Sequence, residues 1–188
     1  DACRHQPTSS CGAVESANSG SGFCGDLVDS DNREGARAMA QCLLDAGHRH
    51  IGVIHGDLSV STGREREEGF LSGLGKPGHL GGAGSLEGSG IVDAPLVVRS
   101  YQGDFSMESG MAGAAALLSG PAPVTAIAVM NNSMAIGVLR YCHRHAIRIP
   151  EDVSVVSYGS IEDADLLYVN PTVVALSPRE VARHAAEL

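Results

Sequence analysis

"IRIPEDVSVVSYGS", residues 147–160, is the stretch on which the fold turns. From Val153 to Tyr158 it is mostly apolar at successive positions, so both faces of a strand there would be apolar. A strand with one wet face alternates, whereas a strand inside a parallel sheet covered by helices has no such need. The stretch therefore predicts a central strand of an α/β sheet. In open sheets of that kind ligands sit beyond the carboxyl ends of the strands. A charged, ligand-holding residue is expected after Tyr158, and the chain has Gly159 and Ser160 instead.

The same logic repeats upstream. Ala36, Met39, Ala40, Leu43 and Leu44 recur with a helical period. Gly47 then stands at a C-terminal cap position, with His48 and Arg49 beyond it. Ile51 to Ile54 reads as a short buried strand, and "STGREREEGFLSGLG" as a helix starting near Thr62 with Phe70, Leu71 and Leu74 inward. "GKPGHLGGAGSLEGSG" reads as a surface loop. "APLVVRSY" is a strand and "SMESGMAGAAALLSG" a helix, with Ser106 as its N-cap and Glu108 suiting the dipole. "VTAIAVM" is a strand, "NSMAIGVLRYCHRHAI" a helix and "TVVAL" a last strand. "PREVARHAAEL" closes as a helix with Pro178 in its first turn. Residues 1–26 are rich in Ser, Gly, Cys and Asn and read as a linker or as remnants of preceding elements. Regular alternation predicts right-handed crossovers, a parallel sheet and helices on both faces. Topology alone then places sites at residues 56–66, 102–106, 131–133 and 159–163.

Composition bounds the function. With 43% hydrophobic residues, no Trp and 4% aromatics, the core must be aliphatic. The net charge of −9 argues against this chain gripping nucleic acid by itself, since duplex binding rests on Lys and Arg. The five cysteines form no CxxC pair, which points to a reducing cytoplasm rather than a disulfide framework. No apolar run approaches the ~20 residues of a membrane span. The chain opens Asp-Ala-Cys-Arg, with neither Met nor a signal-peptide pattern, and is expected to start inside a longer protein.

Each chemical motif has a plain reading beside it. "GLGKPG", residues 73–78, matches GxGxxG but follows a helix, so it reads as a loop. "CHRHA", residues 142–146, offers Cys142 and His145 on one helix face, yet no second cluster completes a metal site; a core cysteine and solvated histidines are the alternative. No nucleophile elbow of the GxSxG type occurs. The clusters Glu65, Glu67, Glu68 and Glu162, Asp163, Asp165 read as solvated helix and loop faces. No catalytic constellation assembles, so an enzyme is not expected. Three residues stay open between a structural and a binding role. Arg66, one turn into a post-strand helix, either offers a planar fork to a ligand or pairs with a nearby Glu. Asn131 either caps the next helix or reads a ligand hydroxyl. Phe105 is either a stacking plate or a hydrophobic staple.

Several stretches in order resemble the effector-binding region of LacI/GalR-family transcriptional regulators. They are "DNREGARAMAQCLLDAGHRHIGVIHG", "REREEGF", "GDFSMESGMAGAAALL", "PVTAIAVMNNSMAIGVLRYCHRHAIRIPEDVSVVSYGSIEDA" and "NPTVVALSPREVARHA". The resemblance covers residues 27–188. It implies a periplasmic-binding-protein-like fold of two Rossmann-like lobes with a small effector, sugar-like or a related metabolite, in the cleft between them. It implies a homodimer, and operator DNA bound through a helix-turn-helix domain absent from this chain. No cofactor and no metal are expected from the residues themselves. On that pattern residues 27–176 make the second lobe, 177–188 return toward a first lobe that is largely missing, and 1–26 are linker or remnant. Arg66 falls on the family's effector-binding arginine, Asn131 on its ligand-reaching polar residue and Phe105 on its pocket aromatic. Thr62 and Ser177 fall on lesser pocket positions. Gly159 and Ser160 fall where the family commonly has an acidic pair, and Asn132 where an Asp is usual. Losing a charge-assisted acceptor removes ~1.5–3 kcal/mol of hydrogen-bond contribution. An atypical or weakly held effector is therefore expected, with Ser160 or Glu162 as substitutes. The competing reading of the same fold is an extracytoplasmic sugar-binding protein of a transporter.

Overall fold

The structure is a computed structural model, which describes residues 15–16, 26–27, 29–75, 85–88, 95–119, 122–161, 167–175 and 177–187. Glu15–Ser16 (β1) and Asp26–Leu27 (β2) form a short antiparallel pair. The rest of the expected linker lies outside the described residues, as do Cys3, Cys11, Cys24, Glu162, Asp163 and Asp165.

The body is a six-stranded sheet in the order β4-β5-β3-β6-β7-β8. Its strands are His50–His55 (β3), Ser85–Gly88 (β4), Leu96–Gln102 (β5), Ala126–Val129 (β6), Ser154–Tyr158 (β7) and Thr172–Val174 (β8). The pairs β5-β3, β3-β6, β6-β7 and β7-β8 are parallel, as the apolar runs require. β4 is the departure. It pairs antiparallel with β5, Leu86 opposite Val98, within the stretch that reads as a loop. Its Gly and Ser neighbours hide it from a composition-based reading, while an edge strand needs only one partner.

Four helices cover the sheet, two to a face. Asn32–Asp45 (α1) and Ser61–Gly73 (α2) enclose an aliphatic cluster with Ile51, Val53, Val98, Ala128 and Val156. Met107–Leu118 (α3) and Asn132–Arg144 (α4) enclose another with Ile54, Ile127, Val129 and Val155. α1 starts at Asn32, before the apolar period becomes visible at Ala36, because the Asp31 carboxylate accepts the Glu34 N–H at 2.9 Å. Gly47, at φ +86°, turns the chain out of α1. α3 and α4 pack closely through Gly110 and Gly137, where any Cβ would strike the other helix's backbone. Pro178–Ala186 (α5) begins at the expected proline.

This arrangement settles several side-chain roles. Cys142 is fully buried in the second cluster, so it is a core residue with its thiol pushed up to about 11 by burial. His143 and His145 are exposed. Gly73 ends α2 against Arg37 and Ala40 of α1, and Gly75 sits in the turn after it; residues 76–78 of the GxGxxG match lie outside the described residues. The Glu65–Glu68 group is not a solvated face. Glu67 is fully buried against the sheet, and Glu65 accepts a hydrogen bond from buried Asn32. The helical period places residues 63, 67, 70 and 71 inward together, and a carboxylate at one of them is carried along.

Candidate functional site

The carboxyl ends of β3, β5, β6 and β7 lie side by side, and each is followed by a short loop into a helix or turn. That common strand direction gathers Gly56–Arg66, Gly103–Ser106, Asn131–Asn132 and Gly159–Ser160 at one edge. The candidate site is this edge.

Arg66 is its organising cation. It is half-buried, and its Nε donates to the Asn32 side-chain oxygen at 2.9 Å. One Nη donates to the Met130 carbonyl at 2.7 Å, at the end of β6. The guanidinium lies over the Tyr158 ring, 4.0 Å from its centroid, at the end of β7. Burial lowers its pKa, and Tyr158, Asp29 and Glu65 pull it back up. Burial raises the Tyr158 phenol, which donates to the Asp31 carbonyl at 3.3 Å. Arg66 is thus neither an exposed partner of a nearby Glu nor a loose fork. It is a fixed positive group spanning α1, α2 and two strand ends.

Asn131 is the N-cap of α4. Its side-chain oxygen accepts the Met134 N–H at 2.8 Å, and its amide donates to the Phe105 carbonyl at 3.3 Å. Both functions of the amide are engaged, which is the capping reading. Asn132, next along, is exposed and donates to the Ser160 carbonyl at 3.3 Å, tying the ends of β6 and β7 together.

Phe105 adopts φ +68°, a left-handed conformation unusual for a bulky residue. Its ring lies against Gly56 and Gly63, where a Cβ on Gly56 would collide with it. The two glycines make the slot, and the ring joins the α3/α4 cluster from above. It is therefore not a staple on its own helix, whose facing residue Gly110 packs on α4. Beside it, Asp104 accepts from the Ser106 N–H at 3.0 Å and the Ser106 hydroxyl at 2.5 Å. Those bonds, with Ser109, hold its carboxyl down to about 2.

Thr62 is half-buried in the first turn of α2. Gly159 sits at φ +91°, its N–H donating to the Val174 carbonyl at 2.9 Å, and Ser160 is exposed. Ser177 is exposed at the start of α5. The sheet edge thus carries Phe105, Asn131, Gly159 and Ser160 on its post-strand segments and Thr62 and Arg66 in the first two turns of α2, and Ser177 follows the outer strand β8. Two residues of this edge escape a sequence reading. Asn32 is buried beneath Arg66, and Tyr158 carries it. Asn32 precedes the visible helical period, and Tyr158 reads as one more apolar position of β7.

Residues 40–188 match the periplasmic binding protein-like domain family. The chain belongs to that family. Its likeness runs to LacI-family regulators, as the resemblance in the sequence implies. It is 32% identical over 163 residues to the HTH-type transcriptional repressor PurR of Yersinia enterocolitica, covering 83% of this chain and 42% of that protein. It is 27% identical over 135 residues to the probable HTH-type transcriptional repressor ExuR of Bacillus subtilis, covering 70% and 35%. Among solved structures, a LacI transcriptional regulator from a Rhodococcus species superposes with a TM-score of 0.67 at 26% identity, covering 84% of this chain and 53% of that one. The Lac repressor bound to ONPG shares the fold, with a TM-score of 0.65 at 23% identity, covering 83% and 43%. The chain spans about two-fifths of the PurR relative's length and about half of the Rhodococcus structure's. These named relatives are transcriptional repressors or regulators rather than enzymes or transport receptors. Among the described residues no helix is long and apolar enough to cross a membrane.

Proposed function

We propose that this chain is the larger part of the effector-sensing domain of a cytoplasmic LacI-type transcriptional regulator. Residues 27–176 form the second lobe, and 177–188 return toward a first lobe. A small metabolite, sugar-like in size and polarity, binds at the carboxyl edge of the sheet, in the cleft between the lobes. Its binding changes the operator affinity of a helix-turn-helix domain, in a homodimer, through coupling between the two sites.

The observation that carries this reading is Arg66. A guanidinium that is half-buried, oriented by Asn32 and Met130, and laid on Tyr158 has lost little of its directionality to motion. Preorganised polar groups of this kind suit a small polar ligand. Thr62 one turn earlier in α2, Phe105 after β5 and Ser160 after β7 belong to the same edge of the sheet. Asn131 acts through its cap and through the Phe105 carbonyl rather than by reaching far into the cleft.

The effector is held without a carboxylate at the two positions directly after β7. Gly159 and Ser160 supply only backbone groups and one hydroxyl there, and Asn132 spends its amide on Ser160. The ligand is therefore less dependent on paired hydroxyl donors than a hexose clamped by an aspartate.

The test is a thermal-shift panel of neutral sugars, uronates and nucleobases on the protein, followed by calorimetry. One class should raise the midpoint, and a ligand at a hundred times its Kd adds about 2.7 kcal/mol of stability. Arg66→Ala should abolish that shift. Ser160→Asp, beside the left-handed Gly159 rather than on it, should strengthen hydroxyl-rich members by about tenfold or more, the worth of one charge-assisted acceptor. No shift from any class, or one indifferent to both substitutions, would sink the assignment.

A further inference from the structure

Asn32 is 2% exposed, and its amide bonds in three directions, with both N–H donors engaged. Its oxygen accepts from Arg66 Nε at 2.9 Å. Its nitrogen donates to Asp29 Oδ2 at 3.1 Å and to Glu65 Oε2 at 3.0 Å. The other Asp29 oxygen accepts the Ser30 N–H at 2.7 Å, and the Ser30 carbonyl accepts the Asn32 N–H at 2.8 Å. The Asp31 carbonyl accepts the Tyr158 hydroxyl, whose ring carries the same guanidinium. Arg66 is thus joined to the segment Asp29–Asp31, the chain's entry into the lobe, by two routes. One runs through the Asn32 amide and one through the Tyr158 ring.

We propose that Asn32 is a positioning residue that links Arg66 mechanically to the entry segment Asp29–Asp31, so that a change at the guanidinium alters the order of that segment. This rests on the reading of Arg66 as the effector-facing group. The physical reason lies in the amide itself. A buried carboxamide with one acceptor and two donor arms has a single orientation that satisfies Arg66, Asp29 and Glu65 together. Turning it over would set its nitrogen against Arg66 and its oxygen against two carboxylates. A displaced guanidinium therefore cannot leave Asn32 in place at no cost, and Asn32 cannot move without releasing Asp29. Asp29 holds the backbone of Ser30. Arg33, by contrast, pairs with Glu65 and Glu68 on the outer surface, where solvent takes over if the pair opens. The transmitting arm is the inner one.

The experiment needs no effector, so its failure is distinct from failure of the cleft assignment. In the intact protein, amide hydrogen exchange at Ser30 and Asn32 is compared with that at Ile127 and Val129 in β6. The Arg66 side-chain Nε–H resonance is followed by NMR. Arg66→Gln should speed exchange at Ser30 and Asn32 by about tenfold while β6 stays as in the parent. Asn32→Asp keeps an acceptor for Arg66, now charged, and turns both donor arms into repulsion against the Asp29 and Glu65 carboxylates. It should preserve the slow Arg66 Nε–H yet free Ser30. Asn32→Ala should lose both. Unchanged exchange at Ser30 in Arg66→Gln would overturn the link. So would equal acceleration in β6, which would mean general loosening, or loss of the Arg66 resonance in Asn32→Asp.

Discussion

On the α3/α4 side of the sheet, Ile54, Ile127, Val129, Val155, Met134, Val138 and Leu139 make a dry layer, with Ser157 its one buried polar residue among those described. On the α1/α2 side, strand alternation and helix position put Asn32, His55, Glu67 and Ser100 among the buried residues. The two faces cover the same sheet with similar helices, yet among the described residues one buries a single serine among apolar side chains and the other buries four polar residues. Burying a polar group costs stability unless it is bonded, so such groups are expected where orientation matters more than adhesion. Here they lie under the helix that carries Arg66. The α3/α4 face is the apolar one, and the α1/α2 face carries the polar groups that hold Arg66.

Four measurements would break or sharpen that contrast. Ile127→Ala, in the dry layer, should cost about 2–5 kcal/mol in urea unfolding, as buried large-to-small changes do. A small loss would mean that this face is not the anchor. Gly110→Ala should cost about 1–3 kcal/mol, because its Cβ meets the backbone of Met134 and the helices must separate. Asn131→Ala should cost about 1 kcal/mol through loss of the α4 cap. It should also release the Phe105 carbonyl, visible as altered exchange in residues 103–106.

The smallest effect concerns the opposite edge of the sheet. His48 lies between the hydroxyls of Thr125, at 2.9 Å, and Ser154, at 3.0 Å, and burial lowers its pKa. The unfolded chain then binds the proton more readily. Stability should fall as pH drops through the ordinary imidazole range, then level once the folded His48 is itself protonated. Melting curves of the parent and His48→Gln between pH 8 and 5 should diverge in that window. Parallel curves would show that His48 contributes nothing to the acid response.

Much of this was legible beforehand for identifiable reasons. The caps at Ser106 and Asn131 lie beside the helices they start, so local chemistry reveals them. The buried strands show in β-branched runs without alternation. β4 was hidden because a short edge strand among glycines has no pattern of its own. Glu67 escapes a sequence reading because a Glu in a charged run looks solvated until the helix phase is known. Asn32 has no local signature because its three partners, Asp29, Glu65 and Arg66, meet only when α1 and α2 pack together.

By itself, then, the sequence determined the element order, the parallel sheet, both apolar layers and the edge at which a ligand would sit. Periodicity and capping are short-range properties, and strand direction follows from them. Only the tertiary structure decided what Arg66 touches, that Phe105 rests on two glycines, and that Asn132 reaches Ser160. Those contacts join residues tens of positions apart, and their geometry follows from how helices seat on the sheet. No local spacing rule encodes that.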